Sequence, residues 1–255
     1  MFDGDKPEQV TMGQAWNLDG RRIVNWKTCD WEPYPAIDGG ETDLQWHPIR
    51  AEPGPGDGFY LLKVAPGGGA KMHHHSAQEE FIVLDGELID NDGTVLKTGD
   101  CVSFDPGTRH STASPEGCIL LAYIAGPITT TDKDADLDGL KAGRKIVNWH
   151  DADFTLYPSL PTQADPIYWH DIRGNDDTGE GFYLVTFPAG ASSALHEHTG
   201  IEEFVLLDGT LTDPDGTTYG TGDCISLPAG TVHSSFSENG CTTAAMISGP
   251  LRTLV

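Results

Sequence analysis

The chain has 255 residues, with 39 Asp and Glu against 15 Lys and Arg and a formal net charge of −24. That charge repels polyanions at long range, so nucleic acid and anionic membrane surfaces are disfavoured as partners. The length accommodates one large or two small domains with real cores, and no apolar run approaches the roughly 18 residues of a membrane-spanning helix.

The opening stretch MFDGDKPEQVTMGQAW has neither a basic nor an apolar signal region, so a cytoplasmic protein is expected. Next comes RRIVNW at 21–26, which recurs as RKIVNW at 144–149. The same offset of 123 residues (144 − 21) then holds to the end of the chain without a gap. Trp46-His47 answers to Trp169-His170, GFYL at 58–61 to GFYL at 181–184, and TGDC at 98–101 to TGDC at 221–224. Such self-similarity makes each copy one structural unit, and two domains are expected, 1–132 and 133–255.

Within a copy, short runs rich in Phe, Tyr, Val, Ile and Leu alternate with turn clusters such as PGGG, LDGE, NDG and DPDG. This predicts many short strands and an all-β fold, a tandem pair of β-barrels or jelly rolls. The one helical segment expected is a turn near DADLDGL (134–140), connecting the copies. The five cysteines, Cys29, Cys101, Cys118, Cys224 and Cys241, are odd in number and lack CxxC spacing. Buried free thiols are expected, with neither a disulfide framework nor a zinc knuckle.

The run HHHSAQEEF (73–81) carries the chemistry. Alternate residues of a strand share a face, so His73 and His75 point one way and His74 the other. The second copy keeps the outer pair as His196 and His198 and has Glu197 between them. Four residues on, Glu79 and Glu202 open the next strand facing the same interior, while the pleat turns Glu80 and Glu203 away. A Gly-containing turn then precedes His110 and His233. Each copy therefore offers three imidazoles and one carboxylate, a donor set that suits a divalent first-row metal and leaves an octahedral ion two adjacent open positions. Tyr60 and Tyr183, on the strand before each histidine pair, are candidate hydrogen-bond donors or general acid–base groups beside a bound substrate, against the plainer reading of core tyrosines with satisfied hydroxyls. His47 and His170 are candidates for a pocket mouth, against the plainer reading that their segments dock on the barrel. Four unequal pairs, Met72 and Leu195, Gln78 and Ile201, Phe104 and Leu227, Ala113 and Phe236, suggest that the two interiors differ.

The pattern G-x5-HxH-x3-E-x6-G followed by GD-x4-P-x-G-x2-H resembles that of the cupins, once per copy. It runs from Gly67 through His73, His75, Glu79 and Gly86 to Gly99-Asp100 and His110, and from Gly190 through His196, His198, Glu202 and Gly209 to Gly222-Asp223, Pro228 and His233. One departure is Asp105, standing where the first copy should carry the proline, with Pro106 displaced by one, so a slightly different turn before His110 is expected. The chain thus resembles a bicupin. More narrowly, HTGIEEFVLLDGTLTDPDG and SENGC are similar to the metal-binding cupin half of singlet-oxygen-responsive anti-sigma factors, and to relatives that cleave diketones or hydroxyacetophenones. Those anti-sigma factors carry a helical, zinc-binding N-terminal domain. Residues 1–20 are too short for it and hold no His or Cys, so a transcriptional role loses its support and an extra edge strand over the other barrel is expected instead.

The resemblance implies a divalent transition metal in each of two sites, with Fe, Zn, Mn and Ni the candidates, and a metal-dependent bicupin enzyme. The leading expectation is a non-haem dioxygenase acting on a small carbonyl or enolisable substrate. The alternatives are a non-redox isomerase, lyase or decarboxylase, and a zinc-binding sensor without catalysis. A small-molecule substrate is the expected partner, and the family's habit of pairing barrels makes a homodimer a further expectation.

Overall fold

The computed structural model describes residues 16–35, 43–51, 58–131, 133, 136–158 and 163–254. Two large antiparallel sheets dominate. The first runs, in spatial order, Arg144–Asn148, Asp100–Phe104, Glu79–Asp90, Cys118–Ile124, Gly58–Val64, Leu44–Ala51, Glu32–Pro33. The second runs Arg22–Asn25, Asp223–Leu227, Glu202–Thr212, Cys241–Ser248, Glu180–Phe187, Tyr168–Asn175, Thr155–Leu156. Each is closed against a three-stranded sheet carrying the histidines: Ile128–Thr130, His73–His75 and Arg109–His110 in one, Val232–His233, His196–His198 and Leu251–Thr253 in the other. The expected tandem jelly-roll barrels are present.

Their opening strands are exchanged. Arg22–Asn25, from the first copy, pairs with Asp223–Leu227, and Arg144–Asn148, from the second, pairs with Asp100–Phe104. The edge strand expected from residues 1–20 thus lies slightly later in the chain; Asn17 makes a single bridge to Val232, and residues 1–15 fall outside those described. The connecting helix is Leu137–Ala142, capped by the Asp136 carboxylate on the Gly139 N–H at 3.0 Å and anchored by Leu140 in the first barrel's core.

Strand alternation produces three cores. Along Gly58–Val64, Tyr60 and Val64 face the first barrel's interior, whereas Phe59 and Leu61 face the second barrel. Along Glu79–Asp90, Phe81 and Val83 face inward and Ile82 outward. The second copy does the same, so Phe182, Leu184, Val205 and Ala244 meet Phe59, Leu61, Ile82 and Leu121 in an apolar layer between barrels. The LDG glycines, Gly86 and Gly209, have φ of +80° and lie where a Cβ would meet the Gly117 or Gly240 carbonyl at 2.4 or 2.1 Å, beside a register shift in each sheet. Only glycine fits there. Cys101, Cys118, Cys224 and Cys241 are buried free thiols and Cys29 is partly buried, as expected. Among the described residues no helix is long and apolar enough to cross a membrane.

Two buried ion pairs cross the apolar layer reciprocally. Arg50 grips Glu203 with Nε to Oε1 at 2.8 Å and Nη2 to Oε2 at 3.0 Å, and Arg173 reaches Glu80 with Nε to Oε1 at 2.5 Å. Both carboxylates are fully buried. Burial pushes the Glu80 and Glu203 carboxyls up, and the arginines only partly offset it. The substitution Arg50→Ala, which leaves Glu203 buried without its bidentate partner, is expected to lower unfolding free energy by about 3–5 kcal/mol in chemical denaturation, and the paired change Arg50→Met with Glu203→Leu to recover most of it.

Candidate metal centres

Each histidine pair is set by a three-residue strand, and register brings the third histidine beside it: His73 pairs with His110, and His196 with His233. His73 and His75 are buried and His74 is half-exposed, as are His196 and His198 around Glu197. The slightly different turn expected before His110 is not found, and its closing hydrogen bond is the same in both copies despite Asp105. Thr108 N–H bonds the Asp105 carbonyl at 3.2 Å, and Thr231 N–H bonds the Pro228 carbonyl at 3.2 Å. Asp105 additionally donates its own N–H to the Gly143 carbonyl at 2.8 Å, a bond that a proline cannot make.

All eight sequence-predicted ligand candidates come together, four to a barrel. His73, His75, Glu79 and His110 place one donor atom each within 4.8 Å of all the others, and His196, His198 and His233 do so in the second barrel. Glu202 completes the second group, 3.0 Å from His198 Nε2 and 3.5 Å from His233 Nε2. The Nδ1 atoms of His73 and His196 donate to the Lys71 and Ala194 carbonyls at 2.7 Å, which leaves each Nε2 with its lone pair facing the centre. His75 and His110 bring their Nε2 atoms to 3.2 Å, and His198 has its Nε2 2.9 Å from those of both His196 and His233.

These contacts are poorly satisfied without a cation. One proton cannot bridge three converging nitrogens, and Glu79 Oε2 and Glu202 Oε2 are buried without a hydrogen bond of acceptable geometry. Burial and the neighbouring imidazoles pull His73 and His196 down to about 3. Burial acts the same way on His110, but Glu79 and Asp90 outweigh it and raise it to about 9; Asp213 and Glu202 do so for His233. Glu79 and Glu202 are held well below the carboxylate range, because the histidines outweigh desolvation. Each quartet thus demands a positive charge at its centre, and three imidazoles with one carboxylate fit a divalent first-row ion.

Behind the quartets lie two aspartates that the sequence reading did not single out, Asp213 within the DPDG turn cluster and Asp90 just before NDG. Asp90 Oδ1 is 3.4 Å from His110 Nδ1, and Asp213 Oδ1 is 3.3 Å from His233 Nδ1. Their retention at equivalent positions of both copies was the available signal.

Each quartet opens on a cavity, of about 260 Å³ in the first barrel and about 380 Å³ in the second. Tyr60 and Tyr183 line them with the ligand candidates. The Tyr60 hydroxyl is 3.4 Å from that of Tyr34, and Tyr183 donates to the Glu180 carbonyl at 3.4 Å. Burial pushes the Tyr183 hydroxyl up to about 12. The cavities do differ, but through other residues than the four pairs singled out from sequence, none of which lines a cavity. Asp43, Lys71 and Thr130 edge the first, whereas Gln163, Asn175 and Asp176 edge the second. Gln78, for one, turns aside to bond Ser103 Oγ at 2.8 Å. His47 and His170 bond the Asp30 and Asp153 carbonyls at 2.8 and 2.9 Å, away from both cavities, which is the docking role.

The fold is shared with solved structures at low identity. A Nostoc punctiforme protein provisionally named a dioxygenase has 12% identity and a TM-score of 0.71, covering 92% of this chain and 87% of its own. Salicylate 1,2-dioxygenase from Pseudoaminobacter salicylatoxidans, solved as gentisate adducts, has 15% identity and a TM-score of 0.61, covering 91% and 84%. Oxalate decarboxylase from Lactobacillus farciminis, a formate complex, has 13% identity and a TM-score of 0.52, covering 91% and 87%. No curated protein matches the sequence. The model of the ChrR cupin-like domain matches residues 19–129 and again 145–251. Those two segments take in most of the sequence and both quartets, and the chain belongs to the ChrR cupin-like domain family, as a bicupin that carries the domain twice.

Proposed function

We propose that the protein is a metal-dependent dioxygenase acting on a small carbonyl or enolisable substrate. The observation that carries this reading is that each buried quartet faces a cavity rather than being sealed by protein, as a purely structural metal site would be. A redox-active ion bound there would supply Lewis acidity and a meeting place for substrate and dioxygen. The chain's own part is to shape the space around it. Leu44, Leu62, Val64 and Phe81 in the first cavity, and Ile167, Val185 and Phe204 in the second, exclude water and favour an apolar substrate body. Tyr60 and Tyr183 are placed to hold or pass a proton at a substrate oxygen. The resemblance to diketone- and hydroxyacetophenone-cleaving relatives supports the substrate class, and the dioxygenases among the structural neighbours support the chemistry.

Protein reconstituted with Fe(II) is expected to consume oxygen stoichiometrically with cleavage of a small diketone or hydroxyketone, followed by oxygen electrode and product mass. Turnover with Mn(II) under strict anaerobiosis would replace this reading with a non-redox lyase or decarboxylase. Two tightly held zinc ions with no turnover in either assay would replace it with a sensor. Tyr60→Phe and Tyr183→Phe are expected to lower kcat in their own barrel by about 10²-fold.

Metal uptake should depend on pH in a fixed direction. His110 and His233 hold a proton in the metal-free protein up to about pH 9, and an ion must displace it. Affinity at each site is therefore expected to rise about tenfold per pH unit through the neutral range and to level off above pH 9, with about one proton released per ion. Titration calorimetry in buffers of different ionisation enthalpy measures that proton.

A further inference from the structure

We propose that Arg21 and Arg144 are reciprocal positioning residues: the arginine at the start of each repeat fixes the aspartate that orients a metal-facing histidine in the opposite barrel. Neither quartet is then complete within its own repeat. The inference rests on the metal reading above and concerns what holds the ligands.

Arg144 opens the exchanged strand that lies on the first barrel, paired with Phe104. Its Nη1 donates to Asp90 Oδ2 at 2.6 Å, and its Nη2 donates to Asp92 Oδ2 at 2.8 Å and Thr94 Oγ1 at 2.7 Å. The other oxygen of Asp90 is the one beside His110 Nδ1. Arg21, just before the strand exchanged the other way, repeats the arrangement. Its Nη1 donates to Asp213 Oδ2 at 3.1 Å and its Nη2 to Asp215 Oδ2 at 2.7 Å and Thr217 Oγ1 at 2.8 Å, with Asp213 Oδ1 beside His233. In both barrels one planar fork is spread over two carboxylates and a threonine hydroxyl, and Arg21 Nη1 also donates to the Tyr219 hydroxyl at 2.9 Å, a geometry that a lysine's point charge does not reproduce.

The physical consequence follows from burial. Asp90 and Asp213 are almost wholly buried, and a buried carboxylate keeps its charge and its orientation only against a fixed cation. Held by the arginine through one oxygen, each aspartate turns the other towards the imidazole Nδ1, as a hydrogen bond of 3.3 Å from His233 to Asp213 and as a charge contact of 3.4 Å between Asp90 and His110, and this favours the tautomer whose Nε2 faces the centre. Stapling the halves together does not require this arrangement. The pairs Arg50 with Glu203 and Arg173 with Glu80 already cross between them, on carboxylates that face away from the quartets.

The two barrels are not equally dependent. Asp213 also receives the Tyr219 hydroxyl and Ser235 Oγ, the latter at 2.8 Å, whereas position 96 of the first copy is a leucine. Apart from Arg144, Asp90 receives the Asn91 backbone N–H at 2.9 Å. Arg144 therefore carries more of the load than Arg21.

The test uses Co(II), the full-length chain and single-site backgrounds: His198→Ala with His233→Ala leaves the first quartet, and His75→Ala with His110→Ala leaves the second. Affinity is read by chelator competition and ligand geometry by the Co(II) visible spectrum. Arg144→Ala is expected to weaken Co(II) at the first quartet by about 10- to 100-fold and shift its spectrum, with the second quartet unchanged. Arg21→Ala should do the reverse, by a smaller factor. Arg144→Ala combined with Asp90→Asn should cost no more than Asp90→Asn alone, because both act through one aspartate. Arg144→Lys, which keeps the charge but loses the fork, provides a milder variant expected to show a partial loss at the first quartet. Equal losses at both quartets, a loss at the quartet of the arginine's own repeat, or unchanged affinity in the folded variants would overturn the proposal while leaving the metal reading intact. An unmodified chain that binds no Co(II) would sink both.

Discussion

A β-strand turns successive side chains to opposite faces, so Glu79 and Glu80 cannot both look into the first barrel, nor Glu202 and Glu203 into the second. One of each pair joins three histidines at the head of a cavity. The other is driven into the layer between barrels, where it is fully buried and met by an arginine from the opposite half. The same two-residue motif thus builds the candidate metal centre and the junction between the halves. A shift of one residue in the register of that strand would exchange their roles and strand both carboxylates.

The electrostatics of the molecule repeat this theme at three distances. At the centre of each quartet, converging nitrogens and an unbonded carboxylate oxygen call for a cation. One step out, Asp90 and Asp213 lean on the imidazoles and are themselves held by Arg144 and Arg21. Over the whole chain the charge of −24 favours the approach of cations and opposes that of anionic substrates, which agrees with cavities walled mainly by apolar side chains. Differences between the two cavities, with Lys71 at the rim of one and Asp176 at that of the other, give the duplicated sites room to serve different ligands.

Duplication with strand exchange has a mechanical consequence. Each barrel is finished by a strand from the other copy, and the apolar layer between them is built from the outward faces of the same strands whose inward faces form the barrel cores. Loss of order in one barrel therefore removes an edge strand, an arginine and half of a core layer from the other. Folding of the two copies is coupled by construction, and so is the geometry of their histidines.

Much of this was legible in the residues themselves. The period-two alternation of HHH against HEH marks which histidines converge, the 123-residue offset reveals two units, and the glycines of LDG and of the turns before His110 and His233 can occupy backbone that other residues cannot. These are local consequences of pleat and backbone sterics, which nearest neighbours in the chain decide. What the sequence could not disclose depends on residues far apart in it. The pairing of Arg22–Asn25 with Asp223–Leu227, the grip of Arg50 on Glu203, the aspartates behind His110 and His233, and the residues that edge each cavity all arise from contacts that closing a barrel creates. Gln78 and Phe236 have the look of pocket residues until the tertiary fold turns them elsewhere, because a pleat sets which face a side chain takes, and only the packing of whole sheets determines what that face meets.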